Sequence, residues 1–299
     1  MAGDFGFSLR NEPTQILLPY IHNNRNGMHI CYAYSTTEAV SALFAVDYNS
    51  TPVELSTQQI ADQMPRSFNY AQQGRKRNAT LGCYFGSHVD ALYYARNFGL
   101  YEATAYPKRN TSWDINFPDP LPNEVKYKIG EVVRVRTENI AAKWQRVGFE
   151  DLVTDEQINQ VLRHQPMVGA IRVNESTMDF KGEEVYMGVV EDEATVENPT
   201  DVEDGAAEVY MGVVEDEATV ENPTDVEDGA AVRIHNEAHS VLITGWGIKN
   251  GVEYYEVKNH WGDEWGDHGY AKVRRDLVYR LAYPRGIVQL GNVVKKKKK

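Results

Sequence analysis

Apolar positions in the first third of the chain recur at the spacing of an α-helix. Between residues 32 and 48 they repeat about every three to four residues, the period of one helical face. These positions are Ala33, Val40, Leu43, Phe44 and Val46. The pattern predicts an amphipathic helix that begins next to Cys31, and residues 89–95 (VDALYYA) predict a further helix.

The second half of the chain carries short apolar runs bounded by turn residues. Residues 167–173 (MVGAIRV), 241–243 (VLI) and 254–257 (YYEV) are rich in β-branched and aromatic side chains. Such runs predict buried β-strands. Helices followed by strands favour an α+β protein whose two kinds of element lie in separate lobes with a cleft between them.

Composition agrees with a globular protein. The chain has 299 residues and 42% hydrophobic content, enough to bury a large core in one domain of two lobes. No stretch reaches the roughly 20 apolar residues needed to span a bilayer, so no membrane partner is predicted.

Three residues suggest a nucleophilic site. Cys31 is expected in the first turn of its helix, where unpaired N–H groups and the helix dipole favour a thiolate. His239 opens the strand at 241–243, and Asn259 follows the strand at 254–257. A thiol, a histidine base and an amide that orients the base form a known catalytic combination. Trp261 is expected to cover the Asn259–His239 hydrogen bond from water.

Four segments resemble the papain family of cysteine peptidases. Residues 31–35 (CYAYS) resemble the end of the family run Cys-Gly-Ser-Cys-Trp-Ala-Phe-Ser. Residues 54–60 (ELSTQQI) are similar to Leu-Ser-Glu-Gln-Glu-Leu, and 82–86 (GCYFG) to Gly-Cys-Asn-Gly-Gly. Residues 258–262 (KNHWG) differ from Lys-Asn-Ser-Trp-Gly at one position. The resemblance runs in family order from about residue 5 to residue 290.

The resemblance implies a papain-like α+β fold within one domain, residues 1–294. A helical lobe, mainly 21–125, is expected to face an antiparallel, β-barrel-like lobe, mainly 126–294, across the active-site cleft. It also implies Cys31 as nucleophile, His239 as base and acid, Asn259 as orienter, and no cofactor.

The resemblance extends to the substrate. Substrate-binding positions are expected at Phe85, Gly86, His88, Ala170, Ser240 and Trp261. The glutamine that stabilises the oxyanion in the family is replaced by Arg25, whose guanidinium can donate in its place; Asn24 or Asn26 is the alternative donor if the loop is shifted. Loss of one oxyanion donor costs roughly 10²–10³ in rate, so this replacement weakens the implied activity.

A tandem duplication explains an unusual spacing. Cys31 and His239 are 208 residues apart, more than the roughly 130–150 typical of the family. Residues 184–207 are repeated without change at 208–231, and removal of both copies leaves a spacing of 160. The duplication is therefore an insertion ahead of the strand that carries His239.

The insertion also explains the net charge of −12. Each 24-residue copy contributes eight acidic residues and no basic one, so the rest of the chain is slightly basic. This composition predicts a solvated acidic loop, either a passive surface segment or a flap that attracts cationic peptides.

Other binding functions have little support. Residues 295–299 form a lysine tail, which is interpreted as a solvated chain end. The alternative is a nuclear-localisation signal or a segment that binds an anionic surface. No basic–aromatic interleaving points to nucleic acid. His235 and His239 lack the glutamate of a zinc helix, so no metal is expected. A monomer is predicted.

The compartment is ambiguous. The first residues, MAGDF, lack the cationic start and apolar core of a signal peptide, and two cysteines cannot form a disulfide framework. These features predict a cytoplasmic protein. The resemblance implies a lysosomal, vacuolar or extracellular one, and four glycosylation-type triplets favour that alternative; they begin at Asn49, Asn78, Asn110 and Asn174.

Two functions remain open on the sequence. The first is a cysteine peptidase that hydrolyses peptide bonds through a Cys31 acyl-enzyme. The alternative is a papain-fold binding or decoy protein with little or no activity. The complete Cys31, His239 and Asn259 set favours the enzyme, whereas Arg25 and Phe85 favour the binder.

Overall fold

The computed structural model describes residues 4–24, 29–75, 83–109, 126–135, 153–188 and 237–290. Its α-helices are α1 Cys31–Tyr48, α2 Thr57–Ser67, α3 His88–Phe98, α4 Asp155–Leu162 and α5 Glu175–Met178. Its strands are β1 Phe5–Ser8, β2 Leu100–Tyr101, β3 Lys126–Arg134, β4 Met167–Val173, β5 Val185–Tyr186, β6 Glu237–Lys249, β7 Val252–Lys258, β8 Tyr270–Arg274 and β9 Tyr279–Leu290.

The predicted helix beginning at Cys31 is present, but it is not amphipathic. Residues 32–43 of α1 are buried on every side, whereas Val46, assigned to the apolar face, is 37% exposed. The reason is position: α1 packs against α2 and α3 and also against the sheet. Two of its buried polar side chains are satisfied locally; Thr37 Oγ1 donates to the Tyr34 carbonyl, and Ser41 Oγ accepts the Val53 N–H.

A nine-stranded, mostly antiparallel sheet forms the centre of the molecule. Its path is β2-β3-β9-β4-β6-β7-β8-β5, with β1 added along β6 and a parallel pair at β5–β8. The predicted α+β class is confirmed. Within the described residues the path is open, with β2 and β5 at its two ends, and it does not close into a barrel.

The two faces of the sheet bury different cores. Because side chains alternate along a strand, Val168 and Ala170 of β4 lie on one face and Ile171 lies on the other. Val168 joins the core formed with α1, α2 and α3, and Ile171 joins the second core with residues of β6, β7 and β8. The lobe boundaries expected near residues 125 and 126 stay a prediction, since residues 110–125 lie outside the described residues.

The insertion begins inside the sheet. Val185–Tyr186, in the first repeat copy, form β5, and the Tyr186 hydroxyl lies 2.7 Å from Thr177 Oγ1. The prediction that the whole insertion is a solvated loop is therefore wrong for Val185–Tyr186, because Tyr186 is buried in the second core. Residues 189–231 lie outside the described residues, as does the lysine tail.

Candidate active site

His239 and Asn259 are joined by a hydrogen bond. Strands β6 and β7 pair with Leu242 opposite Lys258. This register brings His239, near the start of β6, close to Asn259, which follows β7. His239 Nε2 lies 2.9 Å from Asn259 Oδ1. The same Oδ1 accepts the backbone N–H of His260 at 2.8 Å, which fixes the orientation of the amide. Nε2 therefore carries the proton, and Nδ1 of the neutral ring remains a base.

The His239 ring is buried among aromatic rings. Trp261 lies 4.3 Å away between ring centroids and His260 4.8 Å away. Burial lowers the pKa of His239 to about 4; the Asn259 hydrogen bond acts in the opposite direction, and the charge of His29 lowers the pKa further. The predicted position of Trp261 over the hydrogen bond agrees with this packing.

Cys31 is the first residue of α1, and its half-buried side chain is a thiol that forms no disulfide with Cys83. Ile30 occupies the N-cap position and has no polar side-chain atom with which to cap the helix. The Ala33 and Tyr34 N–H groups donate to the Ile30 carbonyl at 2.8 Å and 3.3 Å, and the helix dipole places partial positive charge beside the sulfur.

The face of α1 that begins with Cys31 contacts both β6 and β7. Ser35 Oγ lies 2.7 Å from Ser240 Oγ, next to His239. Glu38 Oε2 lies 2.7 Å from Lys258 Nζ, next to Asn259. Residues separated by four and seven positions share one side of a helix. The helix therefore contacts the immediate neighbours of both residues in the histidine–asparagine pair.

His88 extends this hydrogen-bond network. Its Nε2 lies 2.7 Å from the Arg280 carbonyl, and its Nδ1 lies 3.0 Å from Ser240 Oγ. Burial lowers the pKa of His88 to about 4, so the ring is neutral near pH 7. Because a carbonyl can only accept, Nε2–H donates to it, Ser240 donates to Nδ1, and Ser35 donates to Ser240.

The remaining predicted substrate positions border this network. Ala170 pairs with Ser240 across β4 and β6. Phe85 is 47% exposed, and its ring lies 5.4 Å from that of His29. A Cβ added at Gly86 would lie 2.9 Å from the Tyr32 ring, so this glycine allows close packing against the residue that follows Cys31. The substrate-binding roles of these residues, and of His88 and Trp261, stay predictions.

Arg25 lies outside the described residues, but the chain on either side of it is placed. The Asn24 N–H donates to the His260 carbonyl at 2.7 Å, and the Gly262 N–H donates to the His22 carbonyl at 3.0 Å. This pairing holds the segment before Arg25 against residues 260–262. Its predicted oxyanion role stays a prediction.

A cluster of aromatic rings next to His239 was not predicted from the sequence. The His260 ring stacks on Tyr34 at 5.0 Å with an interplanar angle of 10°. The Tyr34 hydroxyl accepts from Lys108 Nζ at 2.8 Å, and the Tyr34 ring also contacts His22. His260 is the position at which the chain departs from Lys-Asn-Ser-Trp-Gly. This departure was the feature of the sequence from which the cluster could have been predicted.

Comparisons with known proteins identify the family. Residues 22–282 match the family described as "Papain family cysteine protease". The chain belongs to this family.

Among curated proteins, a rice (Oryza sativa subsp. japonica) oryzain gamma chain is 26% identical over 244 residues, which is 81% of this chain and 48% of the relative. A viral cathepsin of Heliothis zea nuclear polyhedrosis virus is 48% identical over 44 residues, 15% of this chain and 12% of the relative. The matches thus span about half, or much less, of the length of these curated relatives.

Solved structures share the fold. The Carica candamarcensis cysteine protease CMS1MS2, in complex with E-64, has a TM-score of 0.54 and 16% identity, covering 94% of this chain and 98% of that one. The bromelain protease of Ananas comosus, in complex with the E64 inhibitor, has a TM-score of 0.56 and 17% identity over the same shares. Across the part of the chain that the structure describes, no helix is both long and apolar enough to cross a membrane.

Proposed function

We propose that the chain is a cysteine peptidase that hydrolyses peptide bonds, with Cys31, His239 and Asn259 as its catalytic residues. The observation that carries this proposal is the 2.9 Å contact between His239 Nε2 and Asn259 Oδ1. It commits Nε2 to a hydrogen bond and leaves Nδ1 to take a proton. A base oriented in this way serves a nucleophile that lies at the start of an adjoining helix.

In the acylation step, His239 holds the proton of Cys31, and the thiolate attacks the carbonyl carbon of the peptide bond. The C=O electrons move onto oxygen to form a tetrahedral oxyanion. When the C–N bond breaks, the His239 imidazolium gives its proton to the leaving amine. The product is a thioester on Cys31 and a free amino terminus.

Deacylation reverses these proton roles. His239 takes a proton from water, the resulting hydroxide attacks the thioester, and the proton returns to the Cys31 sulfur as the acid departs. Asn259 keeps the His239 ring in one tautomer and orientation throughout. The oxyanion is assigned to the backbone N–H of Cys31 and to Arg25.

The test is the rate of Cys31 alkylation by iodoacetamide from pH 4 to 9. We expect fast alkylation that persists below about pH 6, because the thiolate charge beside His239 favours the protonated ring against the effect of its burial, so the ion pair forms well below the ordinary thiol pKa of about 8.5. His239→Ala should abolish the low-pH reaction. His164→Ala is the matched control, since that residue follows α4 and is exposed. An alkylation rate that rises only near pH 8.5 and ignores His239→Ala would contradict the proposal.

A second candidate is a binding or decoy protein of the same fold. The exposed Phe85 ring favours it, because this ring, which contacts His29, stands where the family pattern has glycine. Turnover of a fluorogenic peptide separates the two functions. Cleavage that is lost in Cys31→Ala supports the enzyme, whereas peptide binding without cleavage supports the binder.

A further inference from the structure

Three arginines lie on neighbouring strands near the candidate site. Arg134 ends β3, Arg172 is in β4, and Arg280 is in β9, which lies between those two strands. Adjacent strands are about 4.8 Å apart, so the three backbone positions lie within two strand spacings of one another across the sheet.

The strand pairing shows which face Arg134 and Arg172 share. Arg134 is opposite Ala282, and Ala282 is opposite Val168. Directly paired residues point to the same face, and so do residues two apart along a strand. Arg172 is four residues from Val168, so it shares that face with Arg134. This is the face on which α1, the helix headed by Cys31, packs.

Arg280 lies at a bulge between these two residues. Val168 and Ala170 of β4 face Ala282 and Tyr279 of β9, so β9 contains one extra residue over this interval. Arg280 has φ of 54°, in the left-handed region that long side chains rarely adopt. Its carbonyl is held by His88 Nε2 at 2.7 Å. Bulges and strained residues are concentrated next to functional sites, where they re-aim a side chain.

The arginines interact electrostatically. Burial lowers the pKa of Arg280, the charges of Arg134 and Arg172 lower it further, and Asp90 raises it. Asp90 already accepts hydrogen bonds from the Tyr70 hydroxyl at 2.8 Å and from Arg75 at 2.9 Å. The positive charges of Arg134 and Arg172 therefore act on Arg280 at the bulge, and a carboxylate bound beside these side chains would offset that repulsion.

Tyr279 connects this cluster with the part of the sheet around Ser240. It is opposite Ala170, which in turn pairs with Ser240. Its pKa is raised by burial, lowered by the charge of Arg172 and raised by Cys31, so Tyr279 lies within electrostatic range of both. The arginines thus border the part of the cleft where Ala170 and Ser240 were predicted to contact substrate.

We propose that Arg172 and Arg280, supported by Arg134, form a subsite that binds a carboxylate side chain of the substrate. The peptidase would then prefer an aspartate or glutamate close to the bond that it cleaves. The predicted cleavage preference rests on the proposed function. Its binding component can be measured without catalysis.

The binding test uses the full chain with Cys31→Ser and fluorescein-labelled alanine hexapeptides. Each peptide carries Glu, Gln or Lys at one of four successive positions. At one position we expect the Glu peptide to bind roughly tenfold more tightly than the Gln peptide, as a charge-assisted hydrogen bond allows, and the Lys peptide to bind most weakly. Arg172→Gln and Arg280→Asn should each reduce the Glu preference and leave Gln-peptide affinity unchanged.

The matched control is Arg285→Gln, which removes the same charge from β9 at a position paired with Glu131. It should leave the preference intact. Asn tolerates the left-handed backbone at position 280, and the exposed Arg172 offers a second variant if Arg280→Asn does not fold. Equal binding of the Glu and Gln peptides, no binding of any peptide, or a preference that survives both cleft variants would overturn the subsite.

Turnover by the unmodified chain separates this inference from the proposed function. If the chain cleaves Glu peptides with a kcat/KM roughly tenfold above Gln peptides, and Arg172→Gln removes that ratio, both proposals are supported. If it cleaves nothing while the Cys31→Ser variant binds Glu peptides selectively, the peptidase proposal fails and the subsite stands.

Discussion

The hydroxyl oxygens of Ser35 and Ser240 lie 2.7 Å apart, one helical turn from Cys31 and one residue from His239. This contact crosses from α1 to β6, and His88 continues it to β9. The helix that carries the thiol and the strand that carries the base are therefore linked through a fully buried chain of hydroxyl and imidazole groups.

Loss of the Ser240 hydroxyl should destabilise the protein. In Ser240→Ala the Nδ1 atom of His88 loses its donor, and an unsatisfied buried polar atom costs about 1–3 kcal/mol. Urea unfolding measures the change. Ser35→Ala should cost less, and the double variant should cost less than the sum of the two, since the pair shares one hydrogen bond. Ser50→Ala, on the exposed surface, is the control; strictly additive effects would contradict the network.

The buried ion pair between Glu38 and Lys258 should be costly to break from one side. Lys258 is 2% exposed and Glu38 5%. Lys258→Met leaves the carboxylate buried without its partner, at an expected cost of about 3–5 kcal/mol in the free energy of unfolding. Lys258→Met combined with Glu38→Leu should recover much of that loss. A double variant that is less stable than Lys258→Met would show that the pair stabilises the fold in its own right.

His88 should make the protein less stable as the pH falls. Its pKa in the folded state, about 4, is below the ordinary 6.5. Between these values the unfolded chain binds a proton that the folded chain does not, so stability is complete above pH 6.5 and decreases toward pH 4. In His88→Gln the slope should be smaller by up to about 1.4 kcal/mol per pH unit. Denaturant unfolding across this range measures it, and an unchanged slope would contradict the neutral, buried state of His88.

The His260 ring should position His239. It occupies the space between Tyr34 and His239, at 5.0 Å and 4.8 Å between ring centroids. His260→Ser removes this packing, and we expect kcat to decrease about tenfold with little change in KM, because a misplaced base slows chemistry more than binding. His260→Phe should restore most of kcat. Equal kinetics for the chain and its Ser variant would show that the ring plays no part.

One repeat copy should be dispensable. Deletion of residues 208–231 changes the net charge from −12 to −4 and leaves Val185–Tyr186 in place. The thermal unfolding midpoint should be unchanged, while elution from an anion-exchange column should come at lower salt. Deletion of 184–231 also removes the Tyr186 contact with Thr177 and should lower the midpoint by several degrees. A single-copy variant as unstable as the second would contradict this account.

Local pattern and motif predicted a large part of the fold. The strand at Met167–Val173 has the predicted ends, α1 ends at Tyr48 as expected, and Asn259 directly follows β7. These features depend on neighbouring residues, which sequence periodicity records. The His239–Asn259 contact was also expected, because both residues lie in segments that resemble one family.

Contacts between distant polar residues could not be predicted in the same way. Ser35 and Ser240 are ordinary residues in their own segments, and only the packing of α1 on β6 brings them together. Glu38 and Lys258 look like solvated charges, yet both are buried. The periodicity of α1 predicted that its polar positions, Ser35 and Glu38 among them, face solvent. Periodicity records the polarity of each position and not which other element covers the helix.

The strand Val185–Tyr186 has a consequence for how this chain can change over generations. It occupies the end of the sheet path, and every unit of the duplication begins with the same five residues, EVYMG. Loss or gain of a whole unit therefore always leaves an identical segment to complete the sheet. Unequal recombination within the repeat can alter the length of the insertion in steps of 24 residues and eight carboxylates, while the residues around Cys31 and His239 are inherited unchanged.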